Sequence, residues 1–264
     1  MNGGLEESAA TGRGIGKMAD IASSGIDVDA SDQCRFSAWF SVRSPDVRDI
    51  AEAMRRTDVT VSGDGATPEM RLATDDLHFD LTPIAADGLV ALPSMRFDAP
   101  DELFRGASAV RIVPVVGQTA GDDPVHIVRA ACRVALALAG MPGCVAIGWA
   151  AADSAMGRDY FRKTVGDWLA GGPFPALGLT SMTLDGEGAM VSRGLHPIMG
   201  QELRVLASPG QSPADRARIA IRMIDHLVRN GPLCEAEVVE IDGCGTFQVE
   251  PAGEVVNLRP LPFA

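Results

Sequence analysis

Residues 107–150 hold the pattern that most constrains the fold: the apolar run ASAVRIVPVVG, then DDPVHIVRAACRVALALAG, then CVAIGWA. The first and third pieces have the aliphatic density of strands covered on both faces. The second has helical spacing, with Asp122 or Asp123 as cap, Pro124 in the first turn and Gly140 as stop. A chain with this strand, helix and strand in succession has to bury a sheet under a helix.

The same grammar runs on both sides of the block. CRFSAWFSV alternates as a strand does, and SPDVRDIAEAMRR follows, with Ser44 placed to cap a helix, Pro45 at its first position and apolar residues at Val47, Ile50, Ala51 and Met54. LHFDLTPI and LVALPSMRF read as arms of a hairpin about AADG. Downstream, MGRDYFRKTVGDWLAGG reads as a helix ended by its double glycine, and FPALGLTSMTLDGEGAMVSRGL as a hairpin turning at DGEG. A short strand ELRVLA, a helix SPADRARIAIRMIDHLVRNG opened by Ser212 and Pro213, strands CEAEVVEI and TFQVEPAG, and a trailing EVVNLRPL complete the chain. There is no solenoid-type repeat.

The expected class is therefore α+β, with a mixed or mainly antiparallel sheet and helices at 46–56, 124–139, 157–170 and 213–229 packed mostly on one face. A strand-helix pair near the start of each half permits two similar lobes. The expected organisation is a flexible tail over residues 1–33, a smaller β-rich lobe over 34–104 and a main α+β domain over 105–264. The tail contains TGRGIGKMADIA, which has glycines like those of a dinucleotide-binding turn. LEESAA precedes it where a hydrophobic strand has to stand, and no Ser or Thr follows Lys17 to hold magnesium, so no cofactor is expected.

With 264 residues, 46% of them hydrophobic, the chain can bury a substantial core. Its net charge of −12 repels a phosphate backbone, and Arg216, Arg218, Arg222 and Arg229 stand among Asp215 and Asp225 as a solvated helix face, so nucleic acid is not an expected partner. No run reaches the ~18 uninterrupted apolar residues of a membrane span, and no basic region leads into an apolar one at the N-terminus. A cytoplasmic location follows as the expectation. The five cysteines form no C-x-x-C pair and read as mostly buried, reduced side chains.

Candidate chemistry is sparse. The four histidines have no helical i, i+4 pairing and no H-E-x-x-H, so no metal is expected. No G-x-S-x-G elbow exposes a serine, and nothing beside Cys144 would lower its thiol pKa. The paired acids Asp75/Asp76, Asp101/Glu102 and Asp122/Asp123 fit polar loops and a helix cap. Trp149, Tyr160 and Trp168 are candidate pocket aromatics, with packing of helix onto sheet as their plainer role. The densest polar stretch is MVSRGLHPIMGQELRV, where Arg193, Gly194, His196, Gly200 and Glu202 form a candidate functional loop. Arg193 is expected to pair with Glu202 across its base.

From Ala107 to the C-terminus the order of segments resembles an uncharacterised bacterial family, the domain of unknown function forty-two sixty-one. The resemblance is carried by AVRIVPVVG, DDPVHIVRAACRVALAL, VAIGWA, ALGLTSM and above all VSRGLHPIMGQELRV followed by SPADRARIAIRMIDHLVRNGP. Ser192 stands where the family core has threonine, while Gly194, Leu195, Gly200 and Glu202 match. The resemblance implies a fold and supplies no catalytic residues. The leading functional expectation is a non-enzymatic protein-binding or accessory module, immunity-like or chaperone-like, whose acidity suits a basic partner. The alternative is a small-ligand receptor or enzyme in which Arg193, His196 and Glu202 converge on folding.

Overall fold

A computed structural model describes residues 35–261 apart from 42, 44, 56, 58, 63–69, 86–91 and 116–122. The expected tail, with its glycine-rich TGRGIGKMADIA and Cys34, lies outside the described residues. So does Ser44.

The first sheet has eight strands in the order β2-β3-β4-β6-β1-β7-β8-β5. They span β1 (Phe36–Phe40), β2 (Thr60–Ser62), β3 (Met70–Thr74), β4 (Leu77–Ile84), β5 (Met95–Phe97), β6 (Ser108–Pro114), β7 (Cys144–Trp149) and β8 (Ser154–Gly157). All pairings are antiparallel except β5 with β8. The expected division at 104/105 falls inside this sheet, because β1 hydrogen-bonds between β6 and β7. Among the described residues the expected hairpin between LHFDLTPI and LVALPSMRF is not made. β4 turns back on β3 through Asp75 and Asp76, both at positive φ, and β5 lies at the far edge beside β8. The reason is register: Leu77, Phe79 and Leu81 all face the core, so β4 is satisfied between β3 and β6.

Helices line one face of this sheet. Helix α1 (Val47–Met54) is capped two residues later than its sequence suggests. The Asp46 carboxylate accepts from the N–H groups of Arg48 and Asp49, both at 2.9 Å, and Asp49 reaches back to the Asp46 N–H, which leaves Pro45 outside the helix. Helix α2 (Pro124–Ala139) starts under Asp123 and ends at Gly140. Its Val128, Ala131, Cys132, Ala135 and Leu138 are buried, and alanines at 130 and 139 let it sit close to its neighbours. Helix α3 (Arg158–Leu169) follows β8, a buried strand whose last two residues, Met156 and Gly157, the sequence pattern merges into the helix. The opposite face is thin: Ala109, Ala146 and Ala155 surround Trp39, which meets Phe104 of the 3₁₀ turn Asp101–Phe104 edge-on at 5.0 Å.

The second sheet runs β12-β13-β14-β11-β10-β9. Its strands are β9 (Ser181–Leu184), β10 (Met190–Arg193), β11 (Glu202–Val205), β12 (Glu237–Ile241), β13 (Gly245–Ala252) and β14 (Val255–Pro260). β9 and β10 form the expected hairpin about DGEG. The trailing EVVNLRPL is β14, an interior strand, antiparallel to β13 and parallel to β11. Two single-turn helices, α4 (Ala176–Leu179) and α5 (His196–Met199), join the strands. Helix α6 (Pro213–Asn230), opened by a Ser212–Asp215 capping box, buries Ile219, Met223, Ile224 and Leu227 toward this sheet. One continuous core unites both sheets, from Phe36 and Ile112 through α2 to Phe247 and Val256. The fold is α+β with two mixed, mostly antiparallel sheets. Among the described residues no helix is long and apolar enough to cross a membrane.

Candidate functional site

The loop between β10 and β11 is organised by one carboxylate. Glu202 opens β11, beside Val255 of β14, and its own N–H donates to the Glu254 carbonyl at 2.8 Å. Its Oε1 accepts from the backbone N–H groups of Gly194, Leu195 and His196, at 2.7, 3.0 and 3.0 Å. Its Oε2 accepts from the Ser192 hydroxyl at 2.5 Å, and that hydroxyl oxygen accepts in turn from the Leu203 N–H at 2.7 Å. Three convergent N–H groups form an anion-binding nest, and the chain fills it with its own carboxylate.

Gly194 makes the nest possible. Its φ is +97°, and a Cβ there would stand 2.7 Å from the Ala152 Cβ, inside any allowed contact. Gly200, at φ +72°, ends α5 by donating its N–H to the His196 carbonyl at 2.6 Å.

Among the described residues no ion pair joins Arg193 to Glu202, so the expected closure of the loop by that pair is replaced by closure through main-chain amides. Arg193 instead turns its exposed side chain into a cleft of about 550 Å³. His196 and Glu202 line the same cleft, together with Arg35 at the start of β1 and Glu254 at the β13–β14 turn. The His196 Nε2 lies 3.8 Å from the Glu254 Oε1. The structure thus brings Arg193, Gly194, His196 and Glu202 to one place, while Gly200 lines a different cavity. Arg35 and Glu254 were not signalled by the sequence, because each reaches the cleft only through strand order.

The candidate aromatics do not share a pocket. Trp149 is buried against Phe36, ring centres 4.5 Å apart, and belongs to the core. Tyr160 stacks on Phe97, and partial burial pushes its hydroxyl pKa up. Trp168 lines a cavity of about 620 Å³ between the ends of α2, α3 and α6, with the Arg129 guanidinium 4.9 Å above its ring. A third cavity, about 780 Å³, lies between α1 and α2 and is lined by Phe40, Leu136 and Met141.

The remaining candidates are structural. Burial pushes the Cys144 thiol up to about 12, which keeps it protonated. Cys132 is likewise buried, whereas Cys234 is exposed and Cys244 half-buried, so the four described cysteines are not uniformly core residues. Asp80 pairs with Arg71 across the β3–β4 ladder at 2.8 and 3.1 Å, and Asp75 is paired with Arg133. Among the described residues no three His, Cys, Asp or Glu side chains cluster to hold a metal ion. No protein-family model, no curated protein and no solved structure matches this chain.

Proposed function

We propose that this protein is a non-enzymatic binding module whose partner is another, basic, protein. The observation that carries this reading is the state of Glu202. Both carboxylate oxygens are taken up by hydrogen bonds from Ser192, Gly194, Leu195 and His196, so the strongest acid-base candidate in the loop is held in a structural role. The resemblance to the domain of unknown function forty-two sixty-one belongs to the same proposal. The residues that carry its core, Ser192, Gly194, Leu195, Gly200 and Glu202, are those that build and close this loop. A net charge of −12 supplies long-range attraction for a basic partner and predicts a complex that weakens with salt.

The test is affinity capture with the full chain from its source cells at low and at high salt, followed by reconstitution from the two purified proteins. A stoichiometric complex with one basic protein, released by salt, is the expected result. Failure to reconstitute any binary complex overturns the module reading.

A second reading is favoured by one observation: Arg193 and His196 line the same cleft as Arg35. A small ligand bearing a carboxylate or phosphate would be held there by the guanidinium of Arg193. Thermal-shift measurements with phosphate, citrate and simple dicarboxylates separate the two readings. A rise in Tm that is lost in Arg193→Ala supports the receptor; equal behaviour of both proteins rejects it.

A further inference from the structure

Within the module reading, on which this inference rests, the geometry points to the free edge of β12 as the contact surface, with an extended basic segment of the partner added there as a further strand. β12 is the terminal strand of the second sheet, paired with β13 on one side and, among the described residues, with nothing on the other. Its outer ladder of N–H and C=O groups is therefore open to a strand from another chain.

Side-chain chemistry says which strand fits. Val239 and Ile241 turn into the core, paired across from Phe247 and Gly245, while Val238 and Glu240 lie on the outer face. Val238 is 58% exposed, the most exposed large hydrophobic residue among the described ones. An apolar side chain held out from an open strand offers a contact for a β-branched neighbour. Around it stand Glu235, Glu237, Glu240 and Asp242, all exposed. From Asn230 to Leu258 there is no Lys or Arg, and with Glu250 and Glu254 this stretch holds half of the net charge of −12. Two basic side chains of α6 approach this region: His226, 4.0 Å from Glu237, and Arg222, which reaches the β12–β13 turn at Gly243.

This pattern also selects against the commonest rival occupant. A second copy pairing edge to edge would bring two Glu237 and two Glu240, charges of one sign, onto one short ladder. A strand alternating Lys with a β-branched residue lays its apolar side chains along the outer face beside Val238 and its ammonium groups along the other face, where Glu237 stands. Edge pairing with self is disfavoured by the same charges that favour a basic partner.

The experiment uses the isotopically labelled full chain and defined probes. An acetylated, amidated Lys-Val repeat peptide of seven residues is titrated in, and amide shifts and hydrogen-exchange protection are read residue by residue. Two further peptides carry N-methyl groups on alternate residues in opposite phases, and a Glu-Val peptide serves as the charge control. The expected result is new protection centred on 237–241, loss of binding for one N-methyl phase and not the other, and no binding of the Glu-Val peptide. The Glu237→Lys/Glu240→Lys variant, whose changes are on exposed positions and whose folding is checked by its Tm, weakens binding at least ~10-fold.

Equal binding of both N-methyl peptides, protection confined to other strands, or an unaltered affinity in the double variant overturns strand addition at β12. Concentration-dependent dimerisation by sedimentation, abolished in the same variant, overturns it in favour of a second copy. If the natural partner's complex survives the double variant, the edge assignment fails and the module reading stands. If no natural complex forms at all, the module reading fails by its own test.

Discussion

The Glu202 Oε1 lies 3.0 Å from the backbone nitrogen of His196, six residues earlier in the chain, and this bond ties the start of β11 to the first turn of α5. Together with the bonds to Gly194 and Leu195 it holds the loop from inside. Glu202→Ala leaves three N–H groups without their acceptor in a half-buried site, and the expected loss is about 2–3 kcal/mol. Glu202→Gln keeps an acceptor oxygen and is expected to lose about 1 kcal/mol. Arg193→Ala, which breaks no bond of the loop, should change stability by less than about 0.5 kcal/mol. Denaturant unfolding midpoints at constant m measure all three. If Arg193→Ala proves as damaging as Glu202→Ala, closure by an ion pair is restored.

The two loop glycines should separate conformational from steric effects. Gly200 has a left-handed φ of +72° with open space where a Cβ would stand, so Gly200→Ala should lose about 1 kcal/mol. Gly194 combines φ +97° with a Cβ position 2.9 Å from both the nitrogen and the Cα of Ala152. Because backbone cannot step aside as a side-chain tip can, Gly194→Ala should lose about 2–4 kcal/mol. Equal losses at both positions, read from thermal unfolding, would mean that the contact with Ala152 relaxes freely.

Most elements were legible where a local signal decides them. Pro124 with Asp123, Ser212 with Pro213, and the DGEG turn set the ends of α2, α6 and the β9–β10 hairpin as read from sequence. What failed was pairing between distant segments. EVVNLRPL has no local reason to be interior; it is so because it joins β11 in parallel from some fifty positions away. Proximity in sequence suggests β4 as the partner of β5, yet its three residues pair at the edge beside β8. Residue types mark the loop as polar and glycine-rich, but they do not show how it closes. Glutamate suggested a salt bridge, whereas the three amides that it accepts from become visible only when Gly194 turns left-handed.

Acid stability should report the β9–β10 turn, at the opposite end of β10 from this loop. Asp185 accepts from the Arg204 guanidinium and from the N–H groups of Glu187 and Ala189, with the Arg204 bond the main cause, and its carboxyl is held below the usual value of 3.8. A folded pKa lower than the unfolded one contributes stability above about pH 4, and that contribution is lost as pH falls through the folded value. Asp46 and Asp215, lowered by their capping bonds, act in the same window and direction. The unfolding midpoint should therefore fall more steeply below pH 4 in the parent than in Asp185→Asn. Parallel acid limbs for the two proteins would remove Asp185 from the account. The effect should also shrink with added salt, since these groups face solvent.

The β3–β4 turn offers a gain rather than a loss. Thr74 and Leu77 are paired partners, so Asp75 and Asp76 form a two-residue hairpin loop, and both carry positive φ, at 51° and 62°. A loop with two left-handed residues is the type I′ turn, whose preferred second residue is glycine. Asp75 is held by its contact with Arg133 of α2, while the Asp76 side chain is exposed and makes no ion pair among the described residues. Asp76→Gly relieves one strained position at the expense of greater freedom in the unfolded chain, and the net expectation is a gain of about 0.5 kcal/mol, or ~1–2 °C in Tm. Asp75→Gly relieves a similar strain but severs the link to α2, so it should show no gain. A stabilised Asp75→Gly would mean that the Arg133 contact contributes nothing to holding the hairpin against the helix layer.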